Sequence, residues 1–154
     1  MTEKEKFYIS FNKEVATVQS SEVNGESQEQ AFTRVCLDML TQVGETYNAV
    51  VAYDEKGLGT KGQHKINGYA ISENCDTIDL FISVYNPSGS IESIEKTQID
   101  RACIRISNFF LKAFFNKYDN EIAETSSIFE FAHQLASSKE IREKLIRVNA
   151  FILT

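Results

Sequence analysis

Three acidic residues are the side chains of this sequence best suited to chemistry on phosphate esters. Glu29, Asp76 and Asp79 offer carboxylate oxygens, the ligands that magnesium prefers in proteins. Metal-dependent cleavage of a phosphodiester also needs a lysine or a similar group to place the attacking water. Glu29 could supply one ligand and Asp79 another, but these two carboxylates alone make an incomplete magnesium site.

Other kinds of chemistry have less support. The segment from Gly57 to Gly62 matches the GxGxxG pattern of dinucleotide-binding proteins, but a strand-like run follows it instead of a helix, so we interpret it as a hairpin loop. The two histidines, His64 and His133, have no second histidine or cysteine at metal-ligand spacing. No serine lies in a GxSxG turn, so the sequence singles out no nucleophile.

The composition indicates one globular domain. The chain has 154 residues, of which 42% are hydrophobic, and its net charge of -6 opposes non-specific attraction to phosphate backbones. The charged N-terminus and the short apolar runs predict neither a signal peptide nor a membrane span, so we expect a cytoplasmic protein. Three widely spaced cysteines indicate reduced thiols, and Cys36 and Cys103 are predicted core residues.

Hydrophobic periodicity predicts the elements that must position these residues. Ser27 and Gln30 have capping-box spacing before a helix that ends near Gly44. Strand-like patterns occupy residues 49–53, 64–71 and 78–85, with a break at 86–89. The first two runs read as a hairpin and the third as a central strand.

The second half of the chain predicts more helix and one last strand. Residues 99–114 carry a broad apolar face, and capping-box spacing predicts two small helices, one from Ser127 with Glu130 and one from Ser137 with Glu140. Residues 146–154 alternate like a strand. We therefore predict an α/β (α+β) fold in which helices flank a mixed central β-sheet.

This order of a helix acid, a hairpin and a central strand is the layout of PD-(D/E)XK nucleases. In that layout an aspartate is expected at Asn67, and an acid and a lysine are expected near Ser83 and Tyr85. All three substitutions remove charge. Glu29 keeps its carboxylate on the helix, while Asp79 lies on the strand out of the expected register. The pattern indicates a nuclease-like domain with an incomplete catalytic set.

The same elements carry a family resemblance, whose local signature is Ile66-Asn67-Gly68-Tyr69, where the motif is of the Ile-Asp-Gly-Tyr type. From about Gln28 to Thr154 the sequence resembles the N-terminal domain of abortive infection phage resistance proteins. The resemblance implies a restriction-endonuclease-like fold and a role in bacterial defence against phage. It also implies that residues 1–154 are a single domain, the N-terminal domain of a longer protein with a larger C-terminal region.

The sequence is compatible with three alternative functions. The first is a non-catalytic, nuclease-like domain without a cofactor, which binds nucleic acid or a protein partner. Its candidate phosphate contacts are Lys56, Lys61, Lys65, Lys139, Arg142, Lys144 and Arg147. The second is a magnesium-dependent nuclease with relocated ligands among Glu29, Asp76 and Asp79. The third is a dimerisation or assembly domain, in which Phe109, Phe110, Phe114 and Phe115 pack against a second copy or the C-terminal region.

Overall fold

Four strands form one mixed sheet that has helices on both faces. The computed structural model describes residues 1–21, 27–87 and 91–154. The elements in these residues are, in chain order, α1 (Glu3–Ser21), α2 (Gln28–Gln42), β1 (Val50–Lys56), β2 (His64–Ile71), β3 (Thr77–Ser83), α3 (Lys96–Phe115), α4 (Phe129–Ser137), α5 (Lys139–Lys144) and β4 (Arg147–Leu153). A short 3-10 turn at Tyr118–Glu121 precedes α4. None of the described helices is long and apolar enough to cross a membrane.

The strands lie in the order β1-β2-β3-β4, which confirms the predicted mixed sheet. β1, β2 and β3 are antiparallel neighbours, whereas β4 runs parallel to β3. The GxGxxG segment lies in the hairpin loop between β1 and β2, as predicted. A parallel pair needs a long crossover, and here the crossover between β3 and β4 carries α3, α4 and α5.

Side chains from the two faces of the sheet enter separate cores. Phe81 and Ala70 pack with the helices α1 and α2, while Leu80, Ile82 and Ile66 pack with α3, α4 and α5. On β3 this separation follows from the two-residue period of a strand, since Leu80 and Ile82 enter one core and Phe81 enters the other. On β2 the alternation is interrupted, because Ile66 and Ala70 are four residues apart and yet enter different cores. The result is the α/β architecture of helix, sheet and helix that the sequence predicts.

β2 is covered by strands on both sides and by helices on both faces. Seven of its eight residues are buried, although three of these, His64, Lys65 and Asn67, carry polar side chains. Buried polar groups destabilise a fold unless they form hydrogen bonds. The partners of these three side chains therefore determine the polar centres of the domain.

The largest difference from the sequence analysis is α1. No helix was predicted before Ser27, because the apolar positions of α1 do not make a clear stripe: Phe7 and Ile9 are exposed, while Val15 is buried. Phe11 and Val15 pack in the core that α2 forms with the sheet. Tertiary contact with α2, more than its own pattern, stabilises this helix.

Two helix starts and one cysteine also differ from prediction. Ser127 does not cap α4, whose N-cap is Ile128, because the Ser127 hydroxyl accepts the Tyr53 amide. α5 begins one residue later than predicted, since Ser138 caps it by accepting the Ile141 amide.

Cys103 is exposed, whereas Cys36 is partly buried, and burial raises the pKa of its thiol to about 12. The predicted break at 86–89 lies partly outside the described residues.

Gly68 leaves no room for a side chain between β1 and α2. A Cβ atom at this position would lie 2.9 Å from the Val50 carbonyl oxygen and 3.2 Å from Leu37 Cδ1. We expect Gly68→Ala to lower the free energy of unfolding by about 1–3 kcal/mol because a packed backbone must shift. Urea denaturation measures this difference.

Gly62→Ala is the matched control for that variant. The nearest atom to its Cβ would be Thr60 Oγ1 at 4.0 Å, so we expect the free energy of unfolding to change by less than about 1 kcal/mol. Equal stabilities of the two variants would show that the contact at Gly68 does not constrain the sheet.

Candidate functional site

Glu29, Lys65, Asn67 and Ser83 converge where β2 and β3 approach the first turn of α2. Glu29 lies in that turn because Ser27 caps the helix by accepting the Gln30 amide. Lys65 and Asn67 point from β2 toward the helix, and Ser83 is the last residue of β3. We call these four residues the inner polar site. It contains three of the residues expected from the nuclease layout.

Lys65 lies at the centre of the inner polar site. Its ammonium donates a 2.8 Å hydrogen bond to Glu29 Oε1 and a 3.1 Å hydrogen bond to the main-chain oxygen of Ser83. The side chains of Lys65 and Glu29 are only 10% and 28% exposed. A charge in such surroundings needs a partner of opposite sign, so each member of this ion pair compensates the other.

Asn67 satisfies its whole amide within the site. Its Nδ2 donates to Glu29 Oε2 at 3.0 Å and to Gln30 Oε1 at 2.9 Å, while its Oδ1 accepts the Ser83 amide at 2.9 Å. An aspartate at 67 would lack these donors and would place a second negative charge beside Glu29. The interaction also explains why the predicted capping box is only half formed, since the Gln30 side chain is turned to Asn67.

A hydroxyl pair joins the inner polar site to the next turn of α2. Thr33 Oγ1 and Ser83 Oγ lie 2.6 Å apart, and both residues are buried. Thr33 follows Glu29 by one helical turn. Thr33 was not among the residues predicted from the sequence, although its position four residues after Glu29 places it on the same face of the helix.

The donor set of the inner polar site does not fit a divalent cation. Magnesium takes several oxygen ligands and is usually held by carboxylates. Here both Glu29 oxygens accept hydrogen bonds, and the expected acids are replaced by the neutral Asn67 and Ser83. The Lys65 ammonium already lies between the Glu29 carboxylate and the Ser83 carbonyl.

The remaining acidic candidates are bound elsewhere. Asp79 accepts hydrogen bonds from Thr46 at 2.9 Å and from Asn149 at 3.0 Å, four residues before Ser83 on β3, which is roughly 13 Å along a strand. Asp76 accepts hydrogen bonds within its turn from Ser72, Asn74 and Thr77. Within 1–21, 27–87 and 91–154, no three His, Cys, Asp or Glu side chains are grouped to hold a metal ion.

Several of the basic candidates have partners within the domain. Arg142 donates to the carbonyl oxygens of Phe114, Leu135 and Ala136, which closes the ends of α3 and α4. Lys56 lies 5.4 Å from the centre of the Tyr118 ring. The α5 cations pair with acids on their own helix, Lys139 with Glu143 and Lys144 with Glu140. Lys61 and Arg147 are exposed.

Two arginines of α3 border the inner polar site, and the sequence analysis did not single them out. Arg101 and Arg105 line a cavity of about 180 Å³ together with Glu29, Lys65 and Ser83. Tyr85, the remaining catalytic candidate, lines the same cavity and packs at 4.8 Å from the Phe32 ring. The sequence signal for the arginines is their four-residue spacing beside the apolar face of α3.

A second polar centre lies on the other face of the sheet. Asp54 Oδ2 is 2.7 Å from His64 Nε2 and accepts a 2.6 Å hydrogen bond from the Tyr118 hydroxyl. His64 and Tyr118 are 1% and 0% exposed. The trio joins β1, β2 and the turn before α4, and two of its side chains are shielded from solvent.

The environment of Asp54 gives this centre a defined pH dependence. Burial by itself would raise the pKa of Asp54, but hydrogen bonds from His64 and Tyr118 and the nearby charges of His64 and Lys56 outweigh it, so the pKa lies below its ordinary value. A carboxyl whose pKa is lowered by folding stabilises the protein above its unfolded pKa, and this contribution is lost as the pH falls toward the folded pKa.

We therefore expect Asp54→Asn to lower the free energy of unfolding by about 1–3 kcal/mol at neutral pH. Below about pH 4 the variant should lose less stability than the wild type, because it lacks the titrating carboxylate. Urea denaturation across this pH range measures both effects, with the exposed Asp38→Asn as the control. Parallel pH profiles for wild type and Asp54→Asn would contradict the assignment.

Comparison with known proteins gives one family. Residues 32–154 match the model of the abortive infection phage resistance protein N-terminal domain, which includes Lys65, Asn67 and Ser83 and begins three residues after Glu29. No curated protein matches the chain, and no solved structure does. The match covers most of the sequence and confirms the family that the Ile66-Asn67-Gly68-Tyr69 signature indicates. The chain therefore belongs to the family of abortive infection phage resistance protein N-terminal domains.

Proposed function

We propose that the chain is a non-catalytic, restriction-endonuclease-like domain of an abortive infection phage resistance protein and that it binds nucleic acid. The observation that carries the proposal is the position of Lys65. Its ammonium lies between the Glu29 carboxylate and the Ser83 carbonyl oxygen. A carboxylate and a main-chain oxygen are ligands of the kind that a divalent cation takes in a nuclease.

Lys65 supplies from within the chain the positive charge that a metal ion would otherwise bring. Its ion pair compensates Glu29, so the helix acid needs no external cation. Asn67 then replaces a second carboxylate with an amide that donates to Glu29. With one carboxylate whose two oxygens both accept hydrogen bonds, the site lacks the open oxygen ligands for a metal ion that would activate water.

Nucleic-acid binding is supported by the cations beside this filled site. Arg101 and Arg105 border the same cavity as Glu29 and Lys65, where a nuclease-like domain would bring a phosphodiester. Arginine is well suited to phosphate because its guanidinium donates two parallel hydrogen bonds. In this proposal the domain retains a surface that binds a nucleic-acid strand but lacks the groups that would cleave a phosphodiester bond.

The aromatic residues of α3 give less support to the alternative of a dimerisation or assembly domain. Phe109 is fully buried, and Phe110 and Phe114 pack against the core that includes it. Only Phe115 of the four phenylalanines is mostly exposed, at 64%. The aromatic stripe therefore serves the interior of the domain more than an outside partner.

Metal binding tests the proposal through a gain of function. We expect the double variant Lys65→Ala, Asn67→Asp to bind Mn²⁺ saturably in calorimetry, because it frees Glu29 and restores a second carboxylate. The wild type is expected to bind neither Mg²⁺ nor Mn²⁺ saturably and to leave single- and double-stranded DNA and RNA intact.

Adding Glu29→Gln to the double variant is the control, and it should abolish the acquired metal binding. Saturable metal binding with cleavage by the wild type, both lost in Glu29→Ala, would overturn the proposal in favour of a nuclease. If the wild type binds no single- or double-stranded DNA or RNA, the part of the proposal that assigns nucleic-acid binding is wrong.

A further inference from the structure

A groove lies between the hairpin loop and α3, next to the inner polar site. Its volume is about 600 Å³, within the range of roughly 300–1,000 Å³ that small-ligand sites occupy. The lining residues are Leu58, Gly59, Thr60, Lys61, Gln63, Arg101, Ile104 and Arg105. Arg101 and Arg105 line both this groove and the smaller cavity beside Glu29 and Lys65, so the two spaces share one wall.

The groove concentrates positive charge on an acidic protein. Its lining includes three cations, Lys61, Arg101 and Arg105, and no acid, whereas the whole chain has a net charge of -6. The adjoining cavity adds only Lys65 and Glu29, which neutralise each other. An anion is attracted to such a local field even when the total charge of the protein opposes it.

Two buried hydrogen-bond donors in the groove have no acceptor from the protein. In the described part of the chain, three buried side-chain polar atoms lack a partner, namely Gln63 Nε2, Arg105 Nε and Asp119 Oδ1. Both nitrogen donors belong to groove residues. Unsatisfied buried donors are rare in native proteins and call for an acceptor. An anion seated in the groove would place acceptor oxygens beside the two side chains that carry these donors.

The wall of the groove is fixed by a specific contact. Asn108 of α3 donates hydrogen bonds to the carbonyl oxygens of Lys61 at 3.1 Å and Gln63 at 2.9 Å. These bonds hold the end of the hairpin loop against the helix that carries Arg101 and Arg105. The loop that carries Lys61 and the helix that carries the two arginines are therefore held together before a ligand binds, which reduces the entropy that binding must offset.

Apolar residues lie beside the cations. Leu58 and Ile104 line the groove and are 75% and 57% exposed. Phosphate alone makes no use of such side chains, whereas the sugar and the base of an unpaired nucleotide offer apolar surface that can be buried against them. The combination favours a single strand over a duplex, in which the bases are stacked inside.

We propose that this groove binds the phosphodiester backbone of single-stranded nucleic acid, with Arg101, Arg105 and Lys61 contacting phosphates and Leu58 and Ile104 contacting a base or sugar. The inference rests on the proposed function and locates it, because it assigns the binding to α3 and the hairpin loop. The α5 cations named from the sequence are not part of this site.

The test is fluorescence anisotropy with a labelled single-stranded DNA oligonucleotide at low salt. Arg101→Gln with Arg105→Gln is expected to weaken binding by at least about tenfold and to reduce the slope of log affinity against log salt by about 1.4, since two phosphate contacts are lost. Leu58→Ser should weaken binding with an unchanged salt slope.

The matched control is Lys139→Gln with Lys144→Gln, which removes two remote cations and should leave affinity unchanged. Thermal melting of each variant checks that it is folded.

Each outcome decides the inference separately from the proposed function. If the α3 variant and the α5 control weaken the binding of the oligonucleotide equally, the groove is not the binding site. The proposal that the domain binds nucleic acid would still stand. Equal affinity for a duplex, or for adenosine monophosphate at the same ionic strength, would overturn the single-strand assignment. Absence of wild-type binding to every single- and double-stranded DNA and RNA probe would overturn the proposed function itself.

Discussion

The burial of β2 is the constraint on which the polar structure of the domain depends. This strand lies between two others and beneath helices on both faces, yet it carries His64, Lys65 and Asn67. Each of these side chains must find a partner inside the protein, because water cannot supply one. His64 meets Asp54 and Tyr118 on one face, while Lys65 and Asn67 meet Glu29 on the other. One strand thereby determines both polar centres and separates them.

Much of the fold could be predicted because local patterns agree with the tertiary structure. The strand at 64–71 has the predicted bounds, and Ser27 caps α2 as its sequence indicates. Prediction failed where tertiary contacts override the local pattern. α1 has a weak apolar stripe and is held by α2, and the hydroxyl of Ser127 is used by the neighbouring strand β1.

The candidate site could be predicted only in part, for a different reason. The nuclease layout selects Glu29, Asn67 and Ser83 together, and the structure brings those three together. The role of Lys65 could not be read from the sequence, because a lysine that follows a glycine-rich loop has the pattern of a surface cation. Its partners Glu29 and Ser83 are 36 and 18 residues away along the chain, and only the folded sheet brings them close. Arg101 and Arg105 could not be singled out from the sequence, because on a helix with a broad apolar face such cations have the pattern of a solvated face.

The side chain of Asn67 also changes the shape of the sheet. The ladder between β2 and β3 extends only from Ile71 and Ile78 to Gly68 and Phe81, although both strands continue beyond that pair. Past this point the Ser83 amide is bonded to the Asn67 amide oxygen instead of a β2 carbonyl. A side chain thus takes the place of a backbone rung at Ser83, a residue that lines the cavity together with Arg101 and Arg105. The cavity beside the inner polar site therefore lies where the main-chain ladder between β2 and β3 has ended and the side-chain amide of Asn67 bonds to β3 in its place.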